Sequence, residues 1–172
     1  MIDPFQTLGV EPVFTLDLPA LEQRHRELSR ALHPDRFTGR PASERRQALS
    51  RAIEVNEAFR TLRDPLQRAE AMLRRIGFER AEGEEPKPAP DFLMEVMELR
   101  EALTDARRAA DLARVRELAT AVGSSETKAR DALAKLFTAA PVDVSAVERR
   151  MGELRYFRRF LDEAAAIEDE LG

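Results

Sequence analysis

The residues best equipped for chemistry are a histidine and a carboxylate separated by one proline, His33-Pro34-Asp35. An imidazole near a carboxylate is the raw material of acid–base catalysis, but that reaction also needs a nucleophile or a metal-ligand spacing such as His-Glu-x-x-His. Neither accompanies the triplet, and side chains two apart across a proline rarely meet in acid–base geometry. A plainer reading is a helix ended by Pro34 with Asp35 capping the loop. A third is a docking tip. Pro34 stiffens the chain, Asp35 offers a carboxylate that a partner's arginine can grip bidentately, and Arg26, Arg30 and Arg36 suit an acidic surface. With no cysteine in 172 residues, disulfides, thiolate catalysis and cysteine-held zinc or clusters are excluded. The expectation is a binding protein, not an enzyme, with no catalytic residue, no cofactor and no metal.

A second constellation lies at 92–105. At about 100° per residue, Phe92, Val96, Leu99 and Leu103 cluster on one side of a helix, while Met94, Met97, Glu98, Glu101 and Asp105 fall on the other, with Leu93 on the flank. One stripe is enough to join a bundle, so Leu93, Met94 and Met97 are left over. Methionine beside acidic groups suits an adaptable protein-binding patch; the alternative is that these residues pack under a linker or against the rest of the chain.

The elements that position these residues follow from punctuation and period. Asp3, Pro4 and Gly9 bracket a short helix carrying Phe5 and Leu8. A second helix starts near Asp17 with Leu21, His25, Leu28 and Leu32 in one stripe, and it stops before Pro34, leaving 33–43 as loop. A third, from about Ser43 to Leu62, carries Leu49, Ala52, Ile53, Asn56 and Phe59 on one face and lies antiparallel to the second, so the triplet sits at a hairpin tip. A fourth follows Asp64-Pro65, with Leu66, Ala69, Leu73 and Ile76 as its stripe and Gly77 as its stop. Residues 79–90, rich in Pro and Glu, read as an extended connector that cannot pack, Glu82, Glu84 and Glu85 serving as solvating charges. From Asp91, taken as an N-cap, three helical patterns build an antiparallel bundle. The second carries Leu112, Val115, Ala119, Val122, Ala129, Leu133 and Leu136, interrupted by Glu126 and weakened at Gly123-Ser124-Ser125. The third carries Val147, Met151, Leu154, Leu161, Ala164, Ile167 and Leu171 behind Asp143.

The architecture expected is therefore all-α, in two modules at 1–78 and 91–172. Charged residues at 35% with 7 Gly and no Trp fit long amphipathic helices. A net charge of −4 advertises neither nucleic acid nor membrane. Eight arginines from Arg24 to Arg51 are interrupted by acids and have no aromatic platform beside them, against nucleic-acid binding. The paired arginines 107–108, 149–150 and 158–159 read as solvated faces with i,i+4 partners. No apolar run approaches the ~20 residues of a membrane span, and Met1-Ile2-Asp3-Pro4 is not a leader, so a cytoplasmic protein is expected.

Leu8-Gly9-Val10, Leu32-His33-Pro34-Asp35-Arg36-Phe37 and Ile53 to Phe59 with Leu62-Arg63-Asp64-Pro65 resemble a J-domain. That resemblance implies docking on a DnaK-type chaperone and stimulation of its ATPase, with His33, Pro34 and Asp35 as the obligatory contact. Arg36 replaces the family's lysine, and His25 replaces a large apolar residue. Phe92-Leu93-Met94-Glu95-x-Met97-Glu98-Leu99-Arg100-Glu101, with Leu73 to Phe78, resembles the HscB family of iron–sulfur cluster assembly, of the bacterial type without a cysteine-rich zinc module. The resemblance implies binding of an IscU-type scaffold and its delivery to the chaperone HscA. By position the binding residues would be Leu93, Met94, Met97, Glu98, Glu101, Asp105 and Tyr156, the last standing where the family has phenylalanine. The rival functions are a J-protein with a different client and a purely structural helical protein.

Overall fold

The computed structural model describes every residue except Met1, Glu82, Glu85 and Lys87. Among the described residues there are seven α-helices and one 3-10 turn, with no strand. They divide into two compact units, 1–79 and 80–172.

In the first unit, α1 (Pro4–Leu8) is capped by Asp3, whose carboxylate accepts from the Phe5 N–H at 3.0 Å, and closed by Gly9 at φ 65°. Helix α2 (Leu18–Ala31) is capped by Asp17 through the Ala20 N–H. The segment after it is not all loop: Pro34–Phe37 forms a single 3-10 turn, because Pro34 has no N–H to lose at a first helical position and its fixed φ already suits one. Helix α3 (Ala42–Arg63) packs on α1 and α2 and buries Ala48, Val55, Ala58 and Leu62, joined in the core by Phe5, Leu8, Leu21 and Ala71. This corrects the expected α3 stripe: Ala52 and Phe59 are partly covered, but Leu49 and Ile53 face solvent. Small residues are buried because α1 as well as α2 lies close to α3, and alanine permits that approach. Helix α4 (Pro65–Arg75) is capped by Asp64, which accepts from the Leu66 and Gln67 N–H groups at 2.9 and 3.0 Å. Ala69 and Leu73 are buried there, but Ile76 is exposed, because the helix has ended and Gly77, at φ 85°, turns the chain.

The second unit begins inside the expected connector. Arg80 reaches the Glu148 carboxylate at 3.1 Å with its side chain nearly covered, and Pro86 is buried, so part of this segment packs. Glu84 is exposed; Glu82 and Glu85 lie outside the described residues. Helix α5 (Pro90–Arg108) starts before Asp91: Ala89 is the cap residue, held extended by the proline after it, and Asp91 falls in the first turn beside the positive helix end. Helix α6 (Leu112–Thr138) runs unbroken through Gly123-Ser124-Ser125, and α7 (Val144–Leu171) is capped by Asp143. The three helices close on Phe92, Leu103, Ala106, Val115, Leu118, Val122, Ala129, Phe157, Phe160, Ala164 and Ile167. Ion pairs cross between helices more than the i,i+4 expectation allowed: Arg107 pairs with Glu170 at 2.6 Å and Arg116 with Glu168 at 3.2 Å, while Arg108 and Arg150 use i,i+3 partners.

Candidate functional site

Two surfaces concentrate the residues singled out by type and spacing, one on each unit.

On the first unit the α2–α3 hairpin is zipped by His25. Its ring stacks on Phe59 at 4.2 Å and nearly parallel, and its Nε2 lies 2.8 Å from Asn56 Oδ1 and 3.3 Å from Ser29 Oγ. The histidine that replaces an apolar residue is thus a polar seam between two helices. At the hairpin tip the 3-10 turn folds Asp35 back toward His33. His33 Nδ1 lies 3.4 Å from both the Asp35 N–H nitrogen and Asp35 Oδ2, closer than a proline-separated pair was expected to come. With its lone pair free, Nδ1 caps the backbone N–H; protonated, it donates to the carboxylate. Both side chains are exposed. Arg26, Arg30 and Arg36 are exposed as well, Arg26 with Glu22 at 3.9 Å. The tip presents a carboxylate and cations to solvent on a proline-stiffened turn.

On the second unit, Phe92 and Leu103 are buried, Val96 and Leu99 are partly covered, and the opposite side of α5 is open. Leu93, Met94 and Met97 are 50%, 70% and 72% exposed. Glu98, Glu101 and Asp105 are exposed beside them, Asp105 with Arg108 at 3.8 Å. Tyr156 differs from the other six. It is half-buried on α7, edge-on to Phe92 at 5.5 Å, and its hydroxyl donates to the Val96 carbonyl at 3.0 Å. Burial raises its phenol above the usual value of 10.0; Arg100 draws it down, and Glu163 and Glu95 push it further up. Tyr156 therefore fixes α5 against α7 as well as bordering the open face. A tyrosine in place of phenylalanine was the available signal for that tether, but the acceptor could be found only from the packing.

Among the described residues no group of three His, Asp or Glu side chains is arranged to hold a metal ion, and no helix is long and apolar enough to cross a membrane.

Comparison with known proteins gives consistent matches. Residues 88–165 match the family model described as the HSCB C-terminal oligomerisation domain. A co-chaperone protein HscB homolog of Neisseria meningitidis serogroup C is 35% identical over 158 residues, 92% of each chain. The chaperone HscB from Vibrio cholerae superposes with a TM-score of 0.86 at 30% identity, over 99% of this chain and 100% of that one. Human co-chaperone protein HscB superposes at 0.85 with 26% identity, over 96% and 82%.

Proposed function

Because this chain belongs to the HscB family of co-chaperones, we propose that it couples a DnaK-type chaperone ATPase, HscA, to an IscU-type iron–sulfur scaffold in the cytoplasm. The chain itself catalyses nothing. His33, Pro34 and Asp35, with Arg26, Arg30 and Arg36, engage the ATPase and raise its turnover. Leu93, Met94, Met97, Glu98, Glu101 and Asp105, bordered by Tyr156, hold the scaffold. The observation that carries this reading is the open face of α5: three large apolar side chains in water, on a helix whose other side already fills a core. A folded chain gains nothing from that exposure unless a partner covers it. Methionine suits the task, since its unbranched, polarisable side chain adapts to another surface. Joining both surfaces in one chain raises the concentration of scaffold beside the ATPase without a new contact.

The test is chaperone ATPase turnover with and without scaffold. The native chain should stimulate alone and more strongly with scaffold. A Met94→Ala, Met97→Ala variant keeps helix propensity and should retain the first effect while losing the second. Asp35→Asn should lose both. Full stimulation by a folded Asp35→Asn variant would overturn the proposal.

A further inference from the structure

The first unit carries two exposed apolar side chains that its core leaves out. Leu49 and Ile53 are 59% and 50% exposed on α3. Their side of the hairpin is set by three contacts. Arg24 Nε donates to the Leu8 carbonyl at 3.0 Å, so that flank of α2 faces α1. On α3, Glu54, Glu57 and Ala58 line a small cavity with Ile2, Pro4 and Thr7, so that flank faces α1 too. The His25–Asn56 contact marks the opposite, α1-free side of the seam. At about 100° per residue, Leu49 lies about 20° from Asn56 and Ile53 about 60° from it, at the edge where Glu57 follows about 40° further round, while Arg26 lies about 100° round from His25, away from Arg24. Arg26, His25, Asn56, Leu49 and Ile53 therefore share one continuous face. Leu49 sits seven residues before Asn56, about 10 Å along α3, which in an antiparallel hairpin sets it abreast of Leu32, next to His33.

We propose that Leu49 and Ile53 are the apolar centre of the chaperone-docking surface, whose charged edge is Arg26, Arg30 and the His33-Pro34-Asp35 tip; this rests on the co-chaperone reading above. The occupant is the chaperone ATPase, at a patch with an apolar middle and an acidic rim. Charge decides against a second copy of this chain. Arg45 and Arg46 precede the pair by one to two turns, and Arg60 follows Ile53 by two. All three are exposed; of the acids nearby, Glu22 on α2 is turned to Arg26, and Glu57 on α3 stands alone against the three arginines, one turn after Ile53 at the edge toward α1. Two such faces would set arginine against arginine. Interfaces of this anatomy draw affinity from the dry centre and orientation from the charged edge.

The experiment compares the full chain with Leu49→Gln, Ile53→Gln and with Asp35→Asn, reading ATPase stimulation against co-chaperone concentration at low and high salt, with sedimentation of each. The double variant replaces solvent-exposed side chains, so its helicity should be native. Its half-maximal concentration should rise about tenfold at unchanged maximal turnover, from the burial each half-exposed aliphatic still has to gain. That ratio should persist in high salt, which screens the arginines but not the apolar centre. An unchanged half-point, with Asp35→Asn inactive, sinks this inference alone. Full activity of Asp35→Asn sinks the co-chaperone reading beneath it. Self-association of the native chain that the double variant abolishes assigns the face to a second copy and overturns the proposal.

Discussion

At Tyr156 the ring packs edge-on to Phe92 while the hydroxyl reaches the Val96 carbonyl, so one side chain braces α5 just where its outer face is open. That carbonyl lies in a helix interior and has its own i+4 partner, so losing the phenolic donor strands no acceptor. Tyr156→Phe should cost about 1 kcal/mol of stability at neutral pH in urea unfolding. The phenol is raised above 10.0, chiefly by burial, so the folded state prefers the neutral form. That contribution is complete below pH 10 and fades as pH rises through the folded value. The native chain should therefore lose its advantage over Tyr156→Phe in strongly alkaline buffer; a gap that persists there would mean the phenol is not the cause. Residue types alone singled out Met94 and Met97 as surplus to a bundle, since one stripe suffices. They could not identify Leu49 and Ile53, whose size and period matched a core stripe.

Helix ends were the most legible elements. Asp3, Asp17, Asp64 and Asp143 each accept from the first turn they precede, a local geometry that sequence specifies without tertiary help; Asp111 caps α6 in the same way but was not among the expected caps. Asp143→Ala should weaken α7 by about 1 kcal/mol and speed amide exchange at Ala146, whose N–H loses its 2.9 Å acceptor. The start of α5 was legible only to within two residues, because Asp91 looks like a cap while Pro90 takes the first helical position more readily. The α5–α6 turn was opaque: Ala110 sits at φ 52°, where glycine or asparagine is the usual signal. Ala110→Gly should raise the thermal midpoint by relieving that conformation, a gain of about 0.5–1 kcal/mol after glycine's greater unfolded freedom is set against it. A lower midpoint would show the turn to be unstrained.

Over the whole molecule the charge is unevenly divided. Residues 1–79 hold 13 basic and 12 acidic side chains, and residues 80–172 hold 15 and 20, so the first unit is +1 and the second −5. Raising salt from about 0.05 M to about 0.5 M should weaken both proposed associations. Arg26→Ala with Arg30→Ala should flatten only the ATPase branch; flattening of the scaffold branch too would show that the two surfaces are not independent. Two-module organisation was legible because Pro and Glu displace large apolar residues over 79–90. The packing of Arg80 on Glu148 was not, since a lone arginine in a polar run carries no sign of its distant partner. Tyr156 has one further consequence at this scale. It is the only tyrosine, and the chain has no tryptophan. Under ultraviolet excitation nearly all the light the molecule emits comes from the border of the proposed scaffold face, so binding there would be readable without a label.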